Sequence, residues 1–271
     1  MVTRIITALV GLIVFFGAFF ANETIFSLAV ALVSAIMVYE TVTALKMGRI
    51  ITIISMFACI LLQVPAILIE GISPLSGNYL AFALVVIVLK YLIMSVIKFG
   101  KKDVTDVYSA MFSTLYISLF MYFIILLRGY GRYAVMPIFI YSWLTDTGAY
   151  FTGCFLGKHK LAPNLSPKKT IEGFFGGIVT AVIGALVYVI ILDKFFAINI
   201  PNYWILLVAS PVGAVLSALG DLAASALKRQ CQVKDFGRIF PGHGGMMDRF
   251  DSVVFVAPFV YLVFKIIEMI G

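Results

Sequence analysis

The sequence predicts an all-α, polytopic integral membrane protein with about nine transmembrane helices. Three observations lead there. Of the 271 residues, 62% are hydrophobic and only 12% are charged, with a mean hydropathy of +1.09, whereas a soluble domain carries roughly 25% charged residues. Apolar runs recur from Ile5 to Ile270, so the excess is not confined to one leader or anchor. The runs are continuous rather than alternating, which selects helices over a barrel.

Crossing ~30 Å of hydrocarbon at ~1.5 Å per residue takes about 20 apolar residues. In chain order the segments that qualify are 5–21, 25–45, 50–69, 79–98, 108–127, 133–152, 172–192, 203–220 and 251–270. The first shares features with a signal peptide, since Arg4 precedes an apolar stretch ending at Gly17-Ala18. It is long for that role, and a second span follows within a few residues. Basic residues then orient the set. On one side fall Arg4, Lys46, Arg49, Lys98, Lys101, Lys102, Lys158, Lys160, Lys168, Lys169, Lys228, Arg229, Lys234, Arg238 and Arg249. The other side has Arg128, Arg132 and Lys194, while Lys90 and Lys265 lie inside spans. The positive-inside rule therefore puts the N-terminus in the cytoplasm and Gly271 outside, and the expected location is the cell (inner) membrane, with the active site on its cytoplasmic side. The net charge of +7 is dispersed among loops, so it reports topology and gives no sign of nucleic-acid binding.

Cys59, Cys154 and Cys231 suggest no disulfide framework, and two histidines, His159 and His243, are too few for a typical zinc site. No repeat or hydrophilic linker divides the chain. The expectation is a single membrane domain, 1–271, with N-terminal helices in 1–132 and a motif-bearing half in 133–271. Nothing in it speaks against a homo-oligomer.

The loops assigned outside, including Glu70 to Asn78, are short and plain. Two cytoplasmic loops differ. The first, Trp143 to Gly173, reads WLTDTGAYFTGCFLGKHKLAPNLSPKKTIEG. It carries Asp146 inside an apolar span, where a carboxylate is costly unless paired or wetted, then Lys158, Lys160, Lys168 and Lys169, with Ser166 and Thr170 beside them and Glu172 opening the next span. The second, Gly220 to Ser252, reads GDLAASALKRQCQVKDFGRIFPGHGGMMDRFDS. If the eighth span continues as a helix past Gly220, Asp221, Ser225 and Lys228 share one face. Asp248, Asp251 and Ser252 share another on the following span. Between them, Gly242, Gly244 and Gly245 let backbone amides approach an anion closely. Carboxylates, lysines and a glycine turn fit a metal–phosphate site, with Mg²⁺ as the hard cation such oxygens suit. Topology alone accounts for the lysines, a tight connection for the glycines, and an ion-pair network for the acids. Their joint occurrence is far more specific than any member.

At this point the second loop resembles the signature of the phosphatidate cytidylyltransferases (CDP-diacylglycerol synthases). The residues that carry the resemblance are Ser225, Lys228, Arg229, Lys234, Asp235, Phe236, Pro241, Gly242, His243, Gly244, Gly245, Asp248, Arg249, Asp251 and Ser252. The first loop is similar to that family's second motif through Asp146, Ala149, Tyr150, Gly153, Gly157, Lys158, Ser166, Pro167, Lys169, Thr170, Glu172 and Gly173. The resemblance implies transfer of CMP from CTP to phosphatidate, with release of pyrophosphate, in a multi-span membrane enzyme requiring Mg²⁺. It implies Asp221 and Asp248 as the metal carboxylates; the extra carboxylates Asp146 and Asp251 are the candidates for a second cation. Lys228 and Lys168 join Asp221 and Asp248 in the catalytic set. The substrate-binding set is Ser166, Lys169, Thr170, Glu172, Ser225, Arg229, Lys234, His243, Gly244, Gly245 and Arg249. CTP, phosphatidate and the surrounding membrane lipids are the expected partners.

Two rival classes remain. A secondary transporter would route an ion or substrate past Asp146, Lys90 and Lys265, but would show inverted halves with paired broken helices. Another lipid-phosphate enzyme, a lipid kinase or CDP-alcohol phosphotransferase, would have to account for both loops, and neither does.

Overall fold

The structure, a computed structural model, describes residues 2–63, 77–100, 103–198, 200–242 and 244–270. The end of the expected third span (64–69), the outer loop at 70–76, Lys101, Lys102 and His243 lie outside the described residues. In chain order come α1 (Val2–Phe20), α2 (Glu23–Ala44), α3 (Arg49–Gln63), α4 (Gly77–Ile97), α5 (Val104–Arg128) and α6 (Arg132–Phe139). A π-helical turn (Ile140–Leu144) leads directly into α7 (Thr145–Leu156). A hairpin of β1 (Lys160–Ala162) and β2 (Ser166–Thr170) follows, then α8 (Ile171–Phe196), α9 (Trp204–Gln230) and α10 (Met247–Ile270).

Among the described residues, six helices are long and apolar enough to cross a bilayer: α2, Tyr79–Ile97 of α4, α5, α8, α9 and α10. The protein is therefore a multi-pass, predominantly helical membrane protein. Three further expected spans are not among these six. In α1 the qualifying apolar stretch is Leu9–Phe20, and α3 is described only to Gln63. The expected span 133–152 is divided among α6, which contains Pro137, the π-helical turn and α7, each too short to span by itself although they are contiguous. The hairpin is the departure from an all-α chain, too short for its strand period to be read from sequence.

The chain folds as two compact units. The first comprises residues 1–126 and 231–249. Asn22 caps α2 by accepting the Ile25 N–H at 2.8 Å, which explains the sharp break after α1. α2 packs on α1 and α3, and α3 on α4. A buried polar chain links α3 and α4 with α5: Ser55 Oγ lies 2.7 Å from Tyr91 Oη, which lies 2.6 Å from Thr114 Oγ1, while Lys90 Nζ donates to Ser55 at 2.7 Å. Each hydroxyl is satisfied by a neighbour, as burial in an apolar setting requires. Lys90 thus has a structural place.

The second unit comprises residues 127–230 and 250–271. On α8 the buried positions Gly173, Gly177, Ala181 and Ala185 recur every four residues, while Phe175, Val179, Ile183 and Val187 on another face stay exposed. Small inside and large outside suits a helix in lipid, where close packing replaces the hydrophobic effect as the force between helices. The stripe receives α7: a Cβ on Gly177 would stand 2.7 Å from the Thr145 carbonyl oxygen, and one on Gly173 2.7 Å from that of Ala149. On α9, Gly213 admits the Tyr141 ring, whose hydroxyl donates to the Leu206 carbonyl at 2.7 Å. Lys265 pairs with Glu268 at 2.8 Å beside Tyr130, an exposed structural contact.

Candidate active site

In the second unit the chemistry collects around the hairpin and the ends of α7 and α9. Thr170 accepts the Gly173 N–H through Oγ1 at 3.1 Å and so caps α8. Glu172 accepts the backbone N–H groups of Lys158 (3.0 Å) and His159 and meets His159 Nδ1 at 2.6 Å. These contacts close the segment from Lys158 to Glu172 upon itself and fix where β2 presents Lys168 and Lys169.

The sequence condition on the eighth span is met: α9 continues through Gln230. Asp221 and Ser225 stand one turn apart, with Ser225 Oγ 3.4 Å from Asp221 Oδ1. Lys169 Nζ lies 2.6 Å from Asp221 Oδ2, both side chains roughly a quarter exposed. The hairpin lysine and the helix carboxylate thus form a partly desolvated ion pair. Around them a cavity of about 490 Å³ is lined by Asp146, Lys160, Lys168, Lys169, Thr170 and Asp221 on its polar side, with Tyr150 and Phe174 on its apolar side. That volume lies within the roughly 300–1,000 Å³ of small-molecule sites. Asp251 on α10 feels the charges of Asp221, Lys228 and Asp146, and its main-chain oxygen would stand 2.7 Å from a Cβ on Gly220. Ser217, one turn before Asp221, and Ser252, beside Asp251, are buried with hydroxyl oxygens that have no hydrogen-bond partner among the described residues.

The carboxylates at this cavity, Asp146 and Asp221, offer oxygen donors, which suit a hard cation. Among the described residues no three His, Cys, Asp or Glu side chains are placed to hold a metal by themselves. The set therefore fits Mg²⁺, which takes one or two carboxylates and completes its shell with water and phosphate oxygens, better than an all-protein cage.

In the first unit the loop 231–246 and the first residues of α10 form a second polar centre. Gly244 has φ +87°, a conformation that glycine adopts without strain. Its carbonyl accepts the Phe240 N–H at 3.0 Å, closing the turn. Asp248 Oδ2 accepts the N–H groups of Phe236 (2.9 Å) and Gly245 (3.0 Å). The glycine turn and Asp248 therefore hold one another. Lys234, Asp235, Arg238 and Arg249 are exposed around this loop, and Arg229 is exposed at the end of α9 in the other unit.

Of the expected site residues, the second unit brings together Asp146, Ser166, Lys168, Lys169, Thr170, Glu172, Asp221, Ser225, Lys228 and Asp251 within α7, the hairpin, α8, α9 and α10. The first unit holds Lys234, Gly244, Gly245, Asp248 and Arg249. Thr170 and Glu172 are already engaged within the chain, as a helix cap and a loop anchor. One carboxylate escaped the sequence reading: Glu40 on α2, 3% exposed, whose two oxygens accept the Met246 and Met247 N–H groups at 3.0 and 2.9 Å. Its signal was available, because an ionisable residue inside an apolar run is functional or structural rather than incidental.

A family model described as "Cytidylyltransferase family" matches residues 2–267. The chain belongs to the cytidylyltransferase family. Its similarity to curated members runs nearly end to end. It is 38% identical over 261 residues to the phosphatidate cytidylyltransferase of Staphylococcus epidermidis and 36% identical over 261 residues to that of Staphylococcus haemolyticus, in each case covering 95% of this chain and 96% of the relative. To the phosphatidate cytidylyltransferase of Staphylococcus aureus it is 35% identical over 260 residues, with the same coverage. A cytidylyltransferase must bring together two phosphate-bearing partners, and each polar centre carries exposed basic side chains, Lys168 in the second unit and Lys234, Arg238 and Arg249 in the first.

Proposed function

We propose that this cytidylyltransferase transfers CMP from CTP to phosphatidate, giving CDP-diacylglycerol and pyrophosphate, at the cytoplasmic face of the cell membrane. The observation that carries the reading is the lysine-and-carboxylate cavity at the ends of apolar helices, in a chain similar throughout its length to phosphatidate cytidylyltransferases. Family membership leaves the transporter reading without support.

The nucleophile is a phosphate monoester oxygen of phosphatidate. With a second pKa of ~6 it is already largely ionised near neutral pH, so no general base is needed. Attack in line on the α-phosphorus of CTP forms the new P–O bond. The bond from that phosphorus to the oxygen bridging to the β-phosphorus breaks, and its electron pair leaves with pyrophosphate. The obstacle is the meeting of two polyanions. Lys168 and Lys169 on β2, with Lys228 and Arg229 at the end of α9, offset that repulsion and the charge that develops on the leaving group. The carboxylates proposed for Mg²⁺ are Asp221 and Asp248, as the family resemblance implies, with Asp146 and Asp251 for a second cation. A bound magnesium ion supplies charge neutralisation on the phosphates and on departing pyrophosphate. Lys169, paired with Asp221, holds that carboxylate in place.

Lipid access follows from the setting. Drawing a diacyl chain into water exposes many CH₂ groups at ~0.8 kcal/mol each, so the site opens sideways to the inner leaflet and forwards to the cytoplasm. Exposed Tyr150, Phe151, Phe155 and Phe175 suit the lipid side. The orientation is supported by the basic-residue asymmetry, with the N-terminus cytoplasmic. A count of nine crossings is supported by α6, the π-helical turn and α7, which follow one another without a break from Arg132 to Leu156.

Lys168→Met and Lys169→Met are each expected to lower kcat/KM for CTP by about tenfold or more, the scale of a charge-assisted hydrogen bond. Steady-state kinetics in mixed micelles of phosphatidate and detergent measure this. Unchanged constants in both variants would return these lysines to a purely topological role.

A further inference from the structure

Glu40 is the most deeply buried carboxylate whose partners lie far away in sequence. It sits near the end of the apolar helix α2, 3% exposed, where a carboxylate is tolerated only if its hydrogen bonds are made. Both oxygens are used. Oε1 accepts the Met246 N–H and Oε2 the Met247 N–H, the amides that open α10 and carry the positive end of its dipole. The chain separation is 206 residues for the first of these bonds. A serine, threonine or asparagine beside the helix would cap it locally; a carboxylate from α2 adds a fixed location.

That location bears on Asp248. Gly237 and Gly245 both pack so closely on the Glu40 carboxylate that a Cβ on either would collide with it. Gly245 donates its N–H to Asp248 Oδ2, as Phe236 does. Four contacts therefore meet at the start of α10: Phe236 and Gly245 hold Asp248, while Met246 and Met247 are held by Glu40. We propose that Glu40 is the positioning residue for the Asp248 carboxylate, setting the loop and the first turn of α10 so that Asp248 is oriented for a divalent cation. The inference rests on the reading of Asp248 as a metal carboxylate, and it adds a determinant on α2, outside both polar loops.

Glu40→Gln tests it. Glutamine keeps the size but offers only one acceptor, and its amide N–H₂ then faces a backbone N–H. The full-length protein is purified in detergent, and binding of Mn²⁺ alone is followed by electron paramagnetic resonance. The Mg²⁺ concentration for half-maximal CDP-diacylglycerol formation is measured in parallel. Loss of a residue that orients a metal ligand typically costs 10–100-fold in metal affinity or activity, so both constants are expected to rise about tenfold or more. Thr41→Val is the control: Thr41 is the next residue on α2, equally buried, with its hydroxyl on the Met37 carbonyl at 2.7 Å, and its metal constants are expected to match wild type. If Glu40→Gln yields no folded protein, Gly237→Ala carries the test, because its methyl pushes on the same carboxylate while leaving the charge. Folded Glu40→Gln, or Gly237→Ala in its place, with wild-type metal constants overturns the inference. An inactive wild type would instead overturn the reading of the reaction, and the Mn²⁺ titration would still decide whether Glu40 acts on metal binding.

Discussion

Asp221→Asn and Asp248→Asn each lower CDP-diacylglycerol formation by about 10²–10³-fold or more, the scale seen when one preorganised electrostatic element is removed from a reacting centre. Both variants remain folded, and the reason differs between them. Asp221 is partly exposed, and its partners are Lys169 at 2.6 Å and Ser225 at 3.4 Å. An amide keeps a polar contact to both but forfeits the charge that a hard cation and Lys169 require. Asp248 holds the glycine turn through Oδ2. Asparagine can place its carbonyl oxygen there and preserve the turn, again at the loss of the charge. The measurement is turnover with saturating Mg²⁺ and CTP, alongside thermal unfolding to establish that the fold survives. Wild-type-like turnover in both variants would refute the metal assignment.

Gly177→Leu is expected to have the largest effect on the fold. The Gly177 Cβ position lies 2.7 Å from the Thr145 carbonyl oxygen and 3.0 Å from the Thr145 Cγ2. The first of these is backbone in the helix that follows the π-helical turn, so it cannot swing aside as a flexible side chain would. Overpacking of this kind costs about 1–3 kcal/mol or more, or roughly 2–12 °C in Tm for a chain of this size. Activity falls with it, because α7 and α8 frame Asp146 and the hairpin lysines. Thermal unfolding in detergent measures the effect, with Val179→Leu, on the exposed face of α8, as the comparison expected to stay near wild type. An unchanged Tm in Gly177→Leu would mean that the close approach of α7 and α8 does not support this unit.

Much of the site was legible because its residues obey helical periodicity or carry charge where charge is costly. Asp221, Ser225 and Lys228 mark one face at steps of four and three, and α9 does extend far enough to carry them. Asp146 was conspicuous as a carboxylate in an apolar span. Which charges meet was not legible. The Lys169–Asp221 pair joins a five-residue strand to a helix some fifty positions later, and no local pattern encodes that contact. The hairpin was hidden for a related reason: Ser166-Pro167-Lys168-Lys169-Thr170 is too short for a period and contains a proline, which argues against a central strand. Glu40 carried the same signal as Asp146, but its partners are backbone N–H groups of Met246 and Met247, which have no side-chain signature. The helical membrane class followed from composition together with the recurrence and continuity of the apolar runs. The number of crossings did not, because Pro137 and the π-helical turn divide into short contiguous pieces a run that hydropathy reads as one regular helix.

The most direct measurement is an assay of the purified full-length protein with Mg²⁺, phosphatidate and CTP labelled at the α-phosphorus. The account predicts that label moves into the lipid phase as CDP-diacylglycerol, with one pyrophosphate released per lipid formed and no transfer when phosphatidate is omitted. Folded wild-type protein that leaves all label in the aqueous phase, or releases pyrophosphate without forming a CDP-lipid, would contradict it.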